Sequence, residues 1–391
     1  MKYNFDKVID RSCTSAEKVE GLKHIWGRTD LIPLWVADMD FATAPFVTDA
    51  ISKRCENEVL GYTGKPDSYY NAIINWVKQR YDLIVTKEVI NFVPGIVPGI
   101  GMAMNCFTQK GDKVMIQPPV YHPFAWVTTR NERTLVINPL KWENGMYRMD
   151  LDAFREQIKG CKLFILCNPH NPGGVVWTEA ELRAIADICY DEKVLVFSDE
   201  IHADLTLPPH THRPFATVSE KARMNSVTFM SPSKAFNMPG LSASHALIFN
   251  EDLRKRFRIY MDAGELDMGH VFAFLSVEAA YSHGTEWLDQ CLAYIQVNID
   301  FVDEFLKKHA PKIKAIRPEA SYLVWLDCRE LELSQKDLNE FFVDKAHLAL
   351  NDGEMFGKEG IGFMRLNVAS PRCIIEKAMK QLADAYQLYI K

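Results

Sequence analysis

The chain has no cysteine framework. Its nine cysteines are scattered from Cys13 to Cys373, none stands in a C-x-x-C pair, and their number is odd. Free thiols in a reducing compartment are expected, rather than disulfides or a zinc site. His210 and His212 form an H-x-H, but no neighbouring Cys, His or acidic cluster completes a ligand set, so no metal is expected. There is no block of Lys and Arg, and the formal charge is only −6. Both argue against nucleic acid as a main partner. Long apolar runs are missing too. Stretches such as residues 163–167 and 194–197 are far too short to cross a bilayer. Met1-Lys2-Tyr3-Asn4-Phe5-Asp6 has no apolar stretch behind a basic start, so no signal peptide is expected. Internal repeats and low-complexity segments are also missing. The expectation is a cytoplasmic protein with no membrane partner.

What is present suits an ordinary globular protein. The 391 residues are 48% hydrophobic and 25% charged, enough for a large core in one large domain plus a smaller one. The middle of the chain alternates β-branched runs with helical patterns, which points to α/β with a mostly parallel sheet. Residues 113–116, 163–167, 194–198, 227–230 and 246–249 read as buried strands. Residues 178–190 read as a helix, with Thr178 and Glu181 as a capping box. From about 286 to 308, Ile295, Ile299, Val302 and Leu306 recur at helical spacing, as in one long helix. A compact α/β tail follows, with strands at 322–326 and 362–368. Ser334 with Asp337 opens a helix there, and Ser370-Pro371 starts a terminal one with Pro371 at its first position. The expected division is a large domain at 48–290 and a small domain built from 1–47 and 291–391.

Five stretches carry chemistry. Val93-Pro94-Gly95-Ile96-Val97-Pro98-Gly99-Ile100-Gly101 links a short apolar strand to a helix. Exposed N–H groups at a helix start bind anions, although taken alone this stretch is better explained as a plain tight turn. Cys167-Asn168-Pro169-His170-Asn171-Pro172-Gly173 follows a buried strand directly. Asn171 then stands where open α/β sheets bind ligands, or in a rigid polar loop. In Ser198-Asp199-Glu200-Ile201-His202, an aspartate ends an apolar strand. Such a group is costly unless it meets a cation, such as a pyridinium nitrogen, or several donors. In Ser231-Pro232-Ser233-Lys234-Ala235-Phe236, two hydroxyls stand beside a lysine that burial would turn into a nucleophile. In Gly362-Phe363-Met364-Arg365-Leu366-Asn367-Val368, a guanidinium interrupts an apolar strand and needs an anion, either a substrate carboxylate or a structural partner. Each stretch alone has a structural explanation. The ordered set, with Asp199 28 residues after Asn171 and Lys234 35 after Asp199, matches what pyridoxal 5'-phosphate (PLP) requires.

From about Ile32 onward the chain resembles the fold-type I PLP enzymes, the aspartate aminotransferase superfamily. Pro33-Leu34-Trp35-Val36-Ala37-Asp38-Met39-Asp40-Phe41, Gly61-Tyr62-Thr63, Pro118-Pro119-Val120-Tyr121, Asp199-Glu200-Ile201-His202 and Asn351-Asp352-Gly353 look more narrowly like its cystathionine β-lyase or C–S lyase branch, the MalY/PatB type. The resemblance implies a large domain with a mostly parallel seven-stranded sheet between helices, and a smaller α/β domain. It makes Lys234 the Schiff-base lysine and the base at Cα, and Asp199 the partner of the pyridinium nitrogen. Asn171 becomes the donor to the ring 3-hydroxyl, and Tyr121 the ring that stacks on the cofactor. Gly95, Ile96, Val97, Ser231 and Ser233 fall on phosphate-binding positions, with Ile201 and His202 beside the cofactor. Arg365 clamps the α-carboxylate, with Asp40 and Asn171 also at the substrate. Tyr62 reaches the phosphate from the other subunit, which implies a homodimer.

Two departures from the wider superfamily stand out. Ser242 occupies a position that is basic in many relatives, so phosphate binding rests on the serines and the backbone. His202 replaces a tyrosine, which puts the second contact to the 3-hydroxyl in doubt. The implied activity is β-elimination from cystathionine or a related L-cysteine S-conjugate, with an amino acid as the small-molecule substrate. Lys234 and Tyr121 are both candidates to protonate the leaving sulfur. An aminotransferase of an L-amino acid and a 2-oxo acid uses the same motifs, and a non-catalytic regulatory member is the third reading.

Overall fold

The computed structural model describes residues 3–390. Met1, Lys2 and Lys391, which fall in the expected start and small-domain ranges, lie outside the described residues. Helix α1 (Glu17–Trp26) precedes a seven-stranded sheet. The sheet is built from β1 (Ile90–Val93), β2 (Lys113–Ile116), β3 (Thr134–Ile137), β4 (Cys161–Cys167), β5 (Leu195–Asp199), β6 (Ser226–Met230) and β7 (Ser244–Leu247). Its strand order is β1-β7-β6-β5-β4-β2-β3. Only β7 runs against its neighbours. The fold class is thus the α/β arrangement with a mostly parallel seven-stranded sheet.

Helices cover both faces, which is why the central strands are buried and mostly apolar. On β4, Leu163 and Ile165 pack with Ile100 and Ala103 of helix α2 (Ile96–Phe107). Phe164 and Leu166 face the other way, towards Leu182 and Ile185 of helix α3 (Glu179–Asp191). The capping box at Thr178 is present: its side chain accepts from Glu181 N, and the Glu181 carboxylate accepts from Thr178 N at 2.8 Å. β7 begins two residues earlier than the sequence pattern suggests, because its pairing with Val93 starts at Ser244. β3 has no counterpart in the apolar pattern. It is the sheet's edge and half exposed, so its short Leu135-Val136-Ile137 run is not buried on both faces as in the central strands.

A long helix, α4 (Thr285–His309), follows. It leads to a four-stranded antiparallel sheet of β8 (Lys314–Ile316), β9 (Leu323–Asp327), β10 (Asn351–Asp352) and β11 (Phe363–Asn367), ordered β8-β9-β11-β10. Buried Asn298 of α4 ties the exit of β11 down, donating to the carbonyls of Val368 and Ser370 at 2.9 Å each. The last helix, α5 (Arg372–Ile390), starts one residue later than expected. Pro371 is not its first residue. Its carbonyl accepts from the N–H groups of Ile374 and Ile375, so Pro371 caps the helix. Among the described residues, no helix is long and apolar enough to cross a membrane.

The close approach of α2 to the sheet requires a glycine. A Cβ on Gly99 would stand 2.9 Å from a methyl of Val93 and 3.1 Å from the Phe229 ring. Gly99→Val is therefore expected to cost about 1–3 kcal/mol from overpacking. Urea denaturation checks this, and an unchanged midpoint would mean that α2 is not seated this tightly.

Candidate active site

A cavity of about 200 Å³ opens at the carboxyl edge of the parallel strands, the edge where such sheets bind ligands. Each strand end delivers one part of it. Val93 ends β1, and Gly95, at φ +121°, turns the chain into α2. The first-turn N–H groups of Ile96 and Val97 have no partners within the helix, while Pro98 has no N–H to offer. Gly95, Ile96, Val97 and Pro98 all line the cavity, as do Ser233, Ser242 and Ser244. This end therefore gathers N–H and hydroxyl donors and suits an anion.

Asp199 is the last residue of β5 and is 3% exposed. Its carboxylate accepts only the Ile201 N–H, at 3.0 Å. Burial pushes it up to about 7, Glu200 adds to the rise, and the Ile201 bond and Lys234 oppose it. Glu200 itself turns away from the cavity. It accepts from Ser198 Oγ and Phe215 N, both at 2.8 Å, and pairs with His212 Nε2 at 2.7 Å, which fixes the turn after β5. Ile201 and His202 line the cavity. His202 is buried with no partner for Nδ1, and burial, Lys234 and Arg365 push it down to about 3, so its ring is neutral.

Lys234 stands in the turn after β6, and its ammonium donates to the Ala37 carbonyl. Burial and the nearby Arg365 charge push the amine down to about 8, against the pull of Asp38 and Asp199. A free amine is therefore accessible near neutrality. Ser231 does not line the cavity. Its hydroxyl donates to Ala243 O at 2.7 Å and accepts from Ser233 N at 3.1 Å, so it braces the lysine turn.

Arg365 of β11 is 4% exposed, and no carboxylate among the described residues is paired with it. Its partners are neutral. Nη1 donates to Asn171 Oδ1 at 3.1 Å, and Nη2 donates to Trp35 O at 3.1 Å and to Asn351 Oδ1 at 2.5 Å. The Phe356 ring lies 4.8 Å from the guanidinium carbon, and buried Nε has no partner. Burial pulls the group down to about 10. A buried cation bounded by neutral acceptors and one orphan N–H calls for an anion from outside the chain.

Asn171 and Tyr121 line the same cavity. Burial raises the Tyr121 phenol, and Arg365 opposes the rise. Besides Ser231, three expected residues are absent from the cavity lining: Arg365, which adjoins it through its bond to Asn171, and Asp40 and Tyr62. Asp40 is held by Lys18 at 2.9 Å, by Arg11 at 3.1 Å and by Ser370 Oγ at 2.9 Å. Tyr62 is 97% exposed and lines a separate depression with Gly61, Met268 and His270. Some contributors carry no mark in the motifs. Ala37 acts through its carbonyl, Ser244 through the start of the antiparallel strand, and Tyr322 through a 3.0 Å bond to Ala37 O.

The chain is similar to known proteins over nearly its whole length. The family model for aminotransferase class I and II matches residues 29–382. Cystathionine beta-lyase PatB of Bacillus subtilis is 38% identical, over 98% of this chain and 99% of that protein. The structure of cystalysin from Treponema denticola, which contains a PLP cofactor, superimposes with a TM-score of 0.96 at 33% identity, covering all of both chains. A PLP-bound C–S lyase from Staphylococcus hominis superimposes with a TM-score of 0.91 at 35% identity, over 99% of this chain and 98% of that one.

The buried aspartate has a thermodynamic signature. Its folded value, about 7, lies above the ordinary 3.8. The folded state therefore holds a proton that the unfolded state has lost between about pH 4 and pH 7, and stability falls as pH rises through that window. Asp199→Asn should make the ligand-free protein more stable than wild type at pH 8. That advantage should be smaller at pH 4.5 by on the order of 3 kcal/mol. Urea titrations at the two pH values test this, and an equal difference at both would contradict it.

Proposed function

Because the chain belongs to the aminotransferase class I and II family, we propose that it is a PLP enzyme that eliminates a thiol from cystathionine or a related L-cysteine S-conjugate, leaving pyruvate and ammonia. The observation that carries this reading is the set of unpaired buried charges around one cavity: Lys234, Asp199 and, beside them, Arg365. The donor set fits the cofactor at every functional group. The N–H groups of Ile96 and Val97 with Ser233, braced by Ser231, suit the phosphate. Tyr121 suits the ring face, Asn171 the 3-hydroxyl, and Ile201 and His202 flank it. Lys234 supplies the amine that anchors the aldehyde carbon.

When bound, the cofactor accepts the electron pair left by the broken Cα–H bond. The residues do the rest. Arg365 holds the substrate α-carboxylate through its fork, with Asn171 shared between that carboxylate and the ring. This fixes which bond at Cα is presented for cleavage. Asp199, kept close to its titration point by burial, holds a proton on the ring nitrogen as the ring takes up charge. Lys234, lowered to about 8, takes the Cα proton as a free amine and returns as ammonium. That ammonium or the Tyr121 phenol, both at the cavity, protonates the departing thiolate.

In this reading residues 48–290 form the cofactor-binding unit. Residues 1–47 with 291–391 form a smaller one that brings Arg365. We further infer a homodimer in the cytoplasm in which Tyr62 serves the other subunit's phosphate. The support is an almost fully exposed tyrosine beside exposed Val59 and Leu60.

Purified enzyme with L-cystathionine should release pyruvate with no added 2-oxo acid. Turnover that requires 2-oxoglutarate and yields no pyruvate would favour the aminotransferase reading instead. Arg365→Met should lower kcat/KM roughly 10- to 100-fold, the loss expected for bonds to a charged group, and unchanged kinetics would refute the carboxylate clamp. Each mixed dimer of a Tyr62→Ala and a Lys234→Ala subunit should regain up to about half the activity of a wild-type dimer, because one site then carries both lesions and the other none. No regain would rule out the shared site.

A further inference from the structure

Residues 35–41 form a strap whose carbonyls are taken by the site. Trp35 O accepts from Arg365, and Ala37 O accepts from Lys234 Nζ and from the Tyr322 hydroxyl. Val36 O and Asp38 O accept from Asn367, two residues beyond the arginine, at 2.7 and 2.6 Å. Met39 O and Phe41 O accept from Asn237, three residues beyond the lysine, at 3.0 and 2.7 Å. One short segment therefore spans the lysine turn and the arginine strand, and its course sets their relative placement.

The strap's acidic side chains point into a separate charge cluster. Asp38 and Asp40 lie on the same side of the strap, since Arg11 and Lys18 each reach both. Left alone they would repel. Lys18, from α1, has a fully buried side chain that reaches Asp40 at 2.9 Å, Asp38 Oδ1 at 3.6 Å and Asp38 O at 3.4 Å. Arg11 reaches Asp38 at 2.6 Å and Asp40 at 3.1 Å. The Trp35 indole returns a bond to Lys18 O at 3.0 Å. A fully buried ammonium is strongly destabilising unless paired, and here both of its partners belong to the strap.

We propose that Lys18 is a positioning residue of the active site: by balancing Asp38 and Asp40 together with Arg11, it fixes the strap on which the Lys234 amine and the Arg365 guanidinium are hung. Asp38 also acts on Lys234 through space. The groups facing that amine are Arg365, Asp38, Asp199, His202, Tyr121 and Tyr322, and Asp38 and Asp199 are the anions among them. Removing the Lys18 charge leaves Asp38 less compensated and the strap less restrained.

The inference rests on Lys234 as the cofactor-anchoring amine, so the test reads that amine directly. The holoenzyme's cofactor absorbance is titrated against pH for wild type, Lys18→Met, Lys18→Arg and Arg11→Met, with thermal melts as a check on folding. Lys18→Met should move the midpoint upward by about half a pH unit and raise the substrate KM roughly fivefold, and Lys18→Arg should restore most of both. If Lys18→Met does not fold, Arg11→Met, whose side chain is 23% exposed, should show the smaller shift in the same direction. A folded variant with the wild-type midpoint and KM would overturn the positioning role. A wild-type holoenzyme with no pH-dependent cofactor band would instead overturn the assignment of Lys234.

Discussion

Three ionisable groups in or beside one cavity, none paired with a counter-ion among the described residues, form the constraint on which the rest of this structure depends. An isolated charge out of water costs several kcal/mol even after relaxation. The protein meets that cost with rigid neutral partners rather than with opposite charges. Arg365 rests on two side-chain amides and a carbonyl, Lys234 on a carbonyl, and Asp199 on a single N–H. Direct pairing of Asp199 with either cation would satisfy both charges and remove the capacity to hold a ligand.

Holding them apart is the work of the fold. The parallel strands end on a common edge, and their register sets Cys167 against Asp199 and Asp199 against Phe229. The turns after β4, β5 and β6 are therefore neighbours, although they are far apart in sequence. Side chains buried on both faces of the sheet leave little room for those turns to move. The second sheet brings Arg365 from the other direction, and the strap at residues 35–41 joins the two. A cavity with an anion-binding end, a basic amine and an acidic wall follows from this placement.

Much of this was legible in the sequence, for a physical reason. A strand covered on both faces must be apolar throughout, so a polar residue that closes such a run marks the ligand edge. Asn171, Asp199 and Lys234 were found that way, and Arg365 by interrupting its run. The capping box at Thr178 was visible because caps are local chemistry. Other features were not visible. β3 is a half-exposed edge whose apolar run is only three residues long. The strap works through carbonyls, which every residue has, so no residue type marks Ala37 or Trp35 for that role. Asp40 looked like a ligand residue because sequence does not reveal its partners, and Lys18 and Arg11 lie more than twenty residues upstream. Ser231 was grouped with the phosphate ligands, but its hydroxyl is committed to Ala243 and Ser233.

The account's central claim is that Lys234, and no other lysine, is the amine that the cavity presents to the cofactor. Borohydride reduction of the PLP-loaded protein, followed by proteolysis and mass spectrometry, tests it most directly. The account predicts a reduced phosphopyridoxyl adduct on the peptide that contains Lys234, and none in Lys234→Ala. An adduct confined to a different lysine, or none on the active wild-type protein, would contradict it.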